Sequence, residues 1–233
     1  MSLQQKIEAV VELLHEIERN HAPAAFASSL GAEDMVLTDL IAKHTPGIGV
    51  FTLDTGRLPQ ETYALLQQVG EHYPALKLKV YYPERAAIEQ YVNSHGINAF
   101  YHSVELRKAC CGIRKVEPLK RALAGKAAWI TGMRRDQAVT REGLEVAGYD
   151  ADNGLHKFNP LLEWSHLDVW TYISTYKVPY NVLHDQGYPS IGCAPCSRAI
   201  TVGEDIRAGR WWWEQPEHKE CGLHPRPQTA SAS

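Results

Sequence analysis

The sequence predicts an α/β fold with a mostly parallel sheet and helices on both of its faces. Short apolar runs that suit buried strands alternate with segments in which apolar residues recur at helical spacing. The connections between these segments are short, as expected where covering helices join parallel strands. Ligands bind such sheets beyond the carboxyl ends of the strands. The loops that follow the strands are therefore expected to form the functional site.

The first half of the chain predicts three strands, each followed by a helix. A helix over residues 3–20 precedes them, because its apolar residues are spaced three and four apart. Strands are predicted at Ala24–Ser28, Gly49–Leu53 and Leu78–Tyr82. The helices that follow are predicted over Glu33–Lys43, from Pro59 to about Tyr73, and over 86–94.

The second half continues the alternation and ends in a polar tail. A helix over 112–124 precedes a strand at Ala127–Thr131, and Leu155–Asn159 suits a further strand. Ser165 is a good N-cap for the next helix. The tail Pro225–Ser233 is rich in proline, serine and alanine and is predicted to be disordered. We expect one domain over residues 1–214 and a mobile C-terminal segment over 215–233.

Composition restricts the classes of partner and the compartment. The chain has 233 residues and a net charge of −3, which gives no reason to expect nucleic acid or a membrane as the main partner. No apolar run is long enough to span a bilayer, and the N-terminus lacks the apolar core of a secretory signal. We therefore expect a cytoplasmic protein whose thiols are kept reduced.

Four of the five cysteines form a pattern typical of a metal site. Cys193 and Cys196 make a C-x-x-C pair, and Cys110 and Cys111 are adjacent. Four thiolates suit either zinc or an iron–sulfur cluster. Neighbouring residues on a helix point about 100° apart, which would strain binding to one zinc ion. A [4Fe–4S] cluster is favoured, because each thiolate then binds a different iron. A vicinal disulfide or two buried thiols are the structural alternatives.

The fifth cysteine, Cys221, has a different setting. Gly222 beside it indicates a mobile or tightly turned backbone, and His224 follows three residues later. Nearby positive charge lowers the pKa of a thiol and makes it a better nucleophile. Cys221 is therefore the candidate catalytic residue, and an incidental exposed cysteine is the alternative.

Three loops that follow strands are candidates for nucleotide binding: Ser28–Asp34, Asp54–Arg57 and Gly132–Arg141. In the first, Gly31 lets the backbone approach a ligand closely, and a helix N-terminus attracts anions. This loop lacks the lysine and second glycine of a Walker motif. The alternative for this loop is a strand–helix turn with serine caps. In the second loop, Asp54 could likewise cap the turn and bind no ligand.

Basic residues are concentrated around the cysteines and the strand-end loops. They are Arg107, Lys108, Arg114, Lys115, Lys120, Arg121, Arg134, Arg135, Arg141, Arg198, Arg207 and Arg210. In a chain of net negative charge this clustering indicates an anionic substrate, since arginine binds phosphate or sulfate in a bidentate manner. For Lys120 and Arg121 a solvated helix face is the favoured interpretation. For Lys115, Arg207 and Arg210 we favour substrate binding.

Several motifs together resemble the assimilatory sulfonucleotide reductases, specifically the iron–sulfur type that reduces adenosine 5′-phosphosulfate. The matching stretches are Cys110–Leu119, Leu53–Arg57, Gly132–Gln137, Gly192–Cys196, Gly203–Glu214 and Glu220–His224. The resemblance covers roughly residues 24–224. It implies an adenine nucleotide alpha hydrolase-like fold, related to the ATP pyrophosphatases.

The resemblance also implies a reaction, in assimilatory sulfate reduction and cysteine biosynthesis. Cys221 would attack the substrate sulfur, form an S-sulfonate and release AMP. Thioredoxin, or glutaredoxin, would then release sulfite from the adduct. Four cysteines would hold one [4Fe–4S] cluster per subunit, which does not exchange electrons with the substrate: Cys110, Cys111, Cys193 and Cys196. A homo-oligomer is expected on the same ground.

The family pattern implies substrate contacts at ten positions. The phosphosulfate would contact Lys115, Arg207, Arg210 and His224. Ser28, Ser29 and Gly31 would lie beside the nucleotide. Backbone groups of Leu53 and Gly132 would flank the adenine, and Arg141 would face the ligand. The loop Ser28–Asp34 differs from the Ser-Gly-Gly-x-Asp-Ser loop of ATP pyrophosphatases, which argues against cleavage of ATP.

Three alternatives remain at this stage. The first is the same reaction on 3′-phosphoadenosine 5′-phosphosulfate, although enzymes restricted to that substrate generally lack the cluster cysteines. The second is an ATP pyrophosphatase-type enzyme. The third is a zinc-stabilised binding module without activity, which would leave Cys221 without a purpose.

The run Trp211–Trp213 cannot place all three rings on one side of a strand or helix, so packing or subunit contact is the favoured interpretation.

Overall fold

The predicted parallel sheet is confirmed by a computed structural model, which describes residues 1–137 and 143–215. Within these residues, six strands occur in the order β3-β2-β1-β4-β6-β5. All neighbouring strands are parallel except β5 and β6, which pair antiparallel at one edge. The strands are β1 Ala24–Ala27, β2 Gly49–Leu53, β3 Lys79–Tyr81, β4 Ala128–Ile130, β5 Ala147–Asp150 and β6 Leu155–Phe158.

Seven α-helices accompany the sheet in the described part of the chain. They are α1 Leu3–Asn20, α2 Ala32–His44, α3 Gln60–His72, α4 Arg85–His95, α5 Val104–Cys111, α6 Glu117–Leu123 and α7 His166–Tyr176. Ser165 caps α7 as predicted, and its side chain accepts a hydrogen bond from the backbone of Asp168. None of the described helices combines the length and the apolar character that crossing a bilayer requires.

Both faces of the sheet are covered, as the strand β1 shows. Phe26 is fully buried against residues of α1, α2 and α7, including Leu14 and Met35. Its neighbour Ala25 points to the opposite face, where it packs with Leu119 of α6. Successive side chains of a strand point to opposite faces, so a strand buried on both sides reads as a continuous apolar run.

The structure differs from the predicted elements in two places. The strand β5 was not predicted, because its exposed residues at the edge of the sheet form no apolar run. The helix predicted over 112–124 begins earlier, at Val104, where Ser103 accepts a hydrogen bond from the backbone of Leu106. It passes through a π-helical turn at Gly112–Val116 before it continues as α6. The cysteine pair therefore ends a helix, just ahead of this turn.

Candidate active site

A cleft of about 270 Å³ opens where β1, β2 and β4 end. Its position agrees with the rule that parallel sheets bind ligands beyond the carboxyl ends of their strands. Eight of the ten predicted substrate-contact residues lie on its wall: Ser28, Ser29, Gly31, Leu53, Lys115, Gly132, Arg207 and Arg210. The predicted residues Arg141, Cys221 and His224 lie outside the described residues.

The loop after β1 is held in place by a buried carboxylate. Asp34 accepts hydrogen bonds of 2.6 Å from both the backbone N–H and the hydroxyl of Ser29. It also accepts a hydrogen bond from the backbone of Gly132, at the end of β4. Burial raises the pKa of Asp34 to about 6. One side chain thus joins two of the loops that form the cleft.

Gly132 is required by this close approach. A Cβ atom at this position would lie 2.0 Å from Oδ1 of Asp34 and 3.2 Å from Cβ of Glu33. Glycine is the residue that admits such proximity between a backbone and its neighbour. The glycine that sequence reasoning placed beside the adenine is therefore also necessary for the connection between the two loops.

A second connection between the same two loops is an ion pair. Arg134 is 1% exposed, and its guanidinium lies 2.8 Å from a carboxylate oxygen of Glu33. It also donates a hydrogen bond of 3.2 Å to the backbone carbonyl of Trp164. Arg134 is thus neutralised by the protein itself, although the sequence had grouped it with the cations that indicated an anionic substrate.

The remaining cations divide into two groups. Arg135 pairs with Glu163 and Arg198 pairs with Glu204, at 2.7 and 2.6 Å. Arg121 pairs with Glu117 on an exposed helix face, which agrees with the interpretation favoured for it. The structure brings three other cations together on the cleft wall, and these are the three for which substrate binding was favoured: Lys115, Arg207 and Arg210.

The segment that carries two of these arginines is attached to the C-x-x-C turn. The backbone N–H of Arg210 donates to the carbonyl of Arg207 at 2.9 Å, which closes a tight turn. Arg210 also forms an isolated antiparallel bridge with Ser197, the residue after Cys196. Its guanidinium donates to the backbone carbonyl of Ile191 at 3.2 Å. The position of the arginines thus depends on the fold of the cysteine-containing loop.

The four clustered cysteines lie close together although one long segment, residues 112–192, separates the two pairs in sequence. The first pair ends α5, and the second pair belongs to a short 3₁₀ turn at Ala194–Cys196 and the residue before it. Charge on Cys193 would act on both Cys110 and Cys196, and charge on Cys111 would act on Cys196. All four are free thiols, so the vicinal disulfide is not present.

Burial dominates the chemistry of these thiols. It raises the pKa of the Cys196 thiol to about 12 and also raises the pKa of Cys110. Nearby cations oppose this effect: Arg114 acts on Cys110, while Lys115 and Arg210 act on Cys196. The site therefore surrounds buried thiols with fixed positive charge.

Two residues that sequence reasoning did not assign to the site connect the cysteines to the cleft. The hydroxyl of Thr55 lies 3.2 Å from the sulfur of Cys193. The buried guanidinium of Arg114 donates to the backbone carbonyl of Thr55 at 2.6 Å and hydrogen bonds with Cys110. The only available signal was the position of Thr55 in a strand-end loop. The orientation of Arg114 depends on the π-helical turn, which spacing alone does not reveal.

The described residues contain no group of three or more His, Cys, Asp or Glu side chains arranged to hold a single metal ion. One polar atom beside the cysteines is nevertheless unsatisfied. The indole nitrogen of Trp211 is buried and has no hydrogen-bond partner within the described ranges. The backbone N–H of Trp211 donates to the carbonyl of Cys196, and Arg107, which hydrogen bonds with Cys111, lies over its ring at 4.9 Å. The unused donor thus belongs to a residue that contacts the segments of both cysteine pairs.

Comparison with known proteins agrees with the geometry. The phosphoadenosine phosphosulfate reductase domain matches residues 23–199. A relative from Allochromatium vinosum, named adenosine 5′-phosphosulfate reductase, is 58% identical over 218 residues, which are 94% of this chain and 85% of the relative. The resemblance that the motifs indicated is therefore confirmed.

Solved structures agree on the fold. Phosphoadenylyl-sulfate reductase from Candida auris superposes with a TM-score of 0.71 and 28% identity, covering 85% of this chain and 96% of that one. Yeast FAD synthetase, at 17% identity, shares the fold with a TM-score of 0.59 and covers 84% of this chain and 67% of its own. The predicted adenine nucleotide alpha hydrolase-like fold is confirmed. The chain belongs to the phosphoadenosine phosphosulfate reductase domain family.

Proposed function

We propose that this protein reduces adenosine 5′-phosphosulfate to sulfite and AMP. The observation that carries the proposal is the group of Lys115, Arg207 and Arg210 on one cleft wall, beside the strand ends that bind nucleotides in this fold class. Three cations suit a substrate that carries a phosphate and a sulfate next to each other. Similar relatives are named for this activity, including one at 58% identity.

The proposed binding mode follows the loops of the cleft. Backbone groups of Leu53 and Gly132 flank the adenine, and the loop at Ser28, Ser29 and Gly31 lies beside the nucleotide. The phosphosulfate extends toward the cationic wall. His224 and Arg141 complete the set of contacts on the ground of the family pattern alone.

The first chemical step is a displacement at sulfur. The thiolate of Cys221 attacks the sulfate sulfur, a sulfur–sulfur bond forms, and the bond from sulfur to the bridging oxygen breaks. AMP leaves with the electron pair of that bond, and Cys221 carries an S-sulfonate. Negative charge increases on the sulfonate oxygens and on the leaving phosphate. Fixed cations at those positions stabilise this transition state more than the ground state.

The second step needs a dithiol, and we propose thioredoxin, or glutaredoxin, as its source. One thiolate attacks the sulfur of Cys221, and sulfite leaves with the electron pair of the sulfur–sulfur bond. The second thiol then resolves the mixed disulfide, which regenerates Cys221 and leaves the partner oxidised. We propose further that the protein is cytoplasmic and acts in sulfate assimilation, on the route toward cysteine. A homo-oligomeric enzyme remains our expectation.

The clustered cysteines fit a [4Fe–4S] cluster. In a cubane each thiolate binds a different iron, so four thiols can belong to one site without being arranged around a single ion. Iron would also overcome the raised pKa of Cys110 and Cys196, because a bound metal deprotonates its ligands. The buried indole N–H of Trp211 supplies a donor for sulfur at this place. Such a cluster would tune the electrostatic field near Lys115, without exchanging electrons with the substrate.

The alternative substrate is 3′-phosphoadenosine 5′-phosphosulfate. The matching domain and the Candida auris structure both carry the name of that activity. The relatives that share half or more of this sequence are instead named for the unphosphorylated substrate. We therefore favour adenosine 5′-phosphosulfate. FAD synthetase shares only the fold, at 17% sequence identity, and this likeness gives no support to an ATP-cleaving activity.

The intact mass of anaerobically prepared protein tests the proposal. The protein is incubated with each sulfonucleotide in the absence of a reductant. We expect a gain of one sulfonate with adenosine 5′-phosphosulfate, its absence in Cys221→Ser, and its loss on addition of reduced thioredoxin. A gain only with the 3′-phosphorylated nucleotide would reverse the choice of substrate. No gain with either, from protein shown to contain iron and sulfide, would refute Cys221 as the nucleophile.

A further inference from the structure

An exposed group of apolar side chains lies on the outer side of the cysteine site. Ile97, Tyr101 and Trp212 are exposed by 62%, 39% and 40%. Tyr101 contacts Trp213, which packs against the buried ring of Phe100, and Ile97 lies three residues before Phe100 in the chain. We call these five residues the aromatic patch. Large apolar side chains exposed side by side are uncommon on a protein surface and typically mark a contact with another molecule.

The patch is held rigidly by its surroundings. The rings of Tyr101 and Trp213 are 4.4 Å apart, and those of Tyr101 and Trp212 are 6.2 Å apart. The hydroxyl of Tyr101 donates to the backbone carbonyl of Pro195 at 2.7 Å, within the turn between Cys193 and Cys196. Rigid aromatic side chains give up little conformational entropy on binding, which suits them to anchor a partner.

Chain length places the patch near the segment that carries Cys221. The described chain ends at Gln215, three residues after Trp212, and Cys221 follows six residues beyond Gln215. A fully extended chain covers at most about 3.6 Å per residue, so Cys221 lies within about 22 Å of Gln215. A protein that reacts with Cys221 therefore meets this chain within about 22 Å of Gln215, and two residues of the aromatic patch, Trp212 and Trp213, lie three and two positions before Gln215.

We propose that the aromatic patch is the docking surface for the protein dithiol reductase that removes sulfite from the Cys221 adduct. This inference rests on the proposed function. The attacking thiol of such a reductase must reach the sulfur of Cys221, so its surface must meet this one. Exposed tryptophan and tyrosine are the residues that most often dominate the energy of such contacts. A small thiol needs no docking and makes no use of the patch.

The test compares two reductants on the same preformed adduct. The S-sulfonate is prepared from adenosine 5′-phosphosulfate without reductant, and sulfite release is followed with either thioredoxin or dithiothreitol. The variants are Trp212→Ala and Ile97→Ser, because both side chains are exposed. Tyr149→Ala is the matched control, since its side chain is 65% exposed on β5, the strand at one edge of the sheet.

We expect both patch variants to form the adduct at the rate of the unmodified protein. The second-order rate constant for sulfite release by thioredoxin should fall about tenfold in Trp212→Ala, mainly because a higher thioredoxin concentration is needed for the half-maximal rate, as for the loss of an interface anchor. Release by dithiothreitol should not change, and the control should behave as the unmodified protein with both reductants.

Three results would overturn the proposal. They are unchanged release by thioredoxin in both patch variants, equal slowing with dithiothreitol, or a lower molecular mass of the variants in solution. The last result would assign the patch to contact with a second copy of this chain. If the unmodified protein, the control and both patch variants all failed to form an adduct, the proposed function would be refuted, and this proposal with it.

Discussion

Arg107 and Glu214 form an ion pair that is buried on both sides. Two guanidinium nitrogens of Arg107 donate to the two carboxylate oxygens of Glu214, at 2.9 and 2.7 Å. The side chains are 1% and 4% exposed. Arg107 belongs to the helix that ends in the cysteine pair, and Glu214 lies one residue before the end of the described chain. The pair thus connects the cysteine site to the segment that leads toward Cys221.

Removing one partner of this pair should destabilise the protein strongly. Glu214→Gln removes the carboxylate charge that faces the buried guanidinium of Arg107, and we expect the free energy of unfolding to fall by about 3 kcal/mol. Urea unfolding measures the change. Glu163→Gln is the matched control, because its pair with Arg135 has the same 2.7 Å separation but side chains that are 38% and 65% exposed. The control should change stability by less than about 1 kcal/mol. Equal effects in both variants would contradict the argument from burial.

A methyl group at Gly132 should disturb the connection between the two cleft loops. In Gly132→Ala the new Cβ would meet Oδ1 of Asp34 at 2.0 Å, so one loop must move. We expect a loss of about 1–3 kcal/mol in unfolding free energy, as for other overpacked positions, together with weaker binding of AMP by calorimetry.

The matched control for that change is Gly70→Ala. Gly70 lies in α3 with no atom within 4 Å of an added Cβ, and its backbone has ordinary helical geometry. Alanine there should raise stability by about 0.4–1 kcal/mol, because it restricts the unfolded chain. Unaltered AMP binding in Gly132→Ala would show that the loops tolerate the displacement.

The buried carboxyl of Asp34 should make stability depend on pH in a defined direction. Its pKa is raised from 3.8 to about 6, so the folded protein favours the protonated form. Its contribution to stability is therefore fully present below about pH 4 and is lost as the pH rises to about 6. The loss is on the order of 3 kcal/mol.

Asp34→Asn separates this effect from that of other acids. The variant carries a neutral side chain at every pH, although its amide oxygen cannot replace both carboxylate oxygens toward Ser29 and Gly132. The difference in unfolding free energy between the two proteins should nevertheless shrink as the pH rises from 4 to 6.5. Urea titrations across this range measure the difference, and a constant difference would mean that Asp34 does not titrate there.

Lys115 and Arg114 are neighbours with different expected roles. Lys115 lies on the cleft wall, so Lys115→Ala should slow formation of the Cys221 adduct by about 10²–10³-fold and leave the iron content intact. Arg114 is buried beside Cys110 and Thr55, so Arg114→Ala should lower the iron content and the stability. Quench-flow mass spectrometry and iron analysis measure both quantities. Loss of iron in Lys115→Ala would make the lysine structural instead.

The alternation of apolar runs and helical patterns predicted the layered fold because burial on both faces requires it. Phe26 and Ala25 show this directly, since adjacent residues of β1 enter two different cores. The edge strand β5 left no such pattern, because an exposed antiparallel strand needs no apolar run. Helix boundaries near the cysteines were also missed, because a π-helical turn has no distinct residue period.

The candidate site was predicted by residue type, and its internal connections were not. Lys115, Arg207 and Arg210 were selected from a longer list of basic residues, and the structure brings them to one cleft. The sequence could not show that Arg134 is neutralised by Glu33, which lies about 100 positions earlier. It could not show the link between Thr55 and Cys193 either, because these residues are 138 positions apart in sequence.

The sequence by itself determined the fold class and the family, and it selected the candidate chemistry-bearing side chains. These properties depend on local periodicity and on short motifs, and each such signal lies within a single segment of the sequence. Only the tertiary structure decided which charges are paired, which residues connect the cysteines to the cleft and which aromatic residues remain exposed. Those properties depend on burial and on contacts between distant segments, and burial sets both the pKa of Asp34 and the strength of the pair between Arg107 and Glu214.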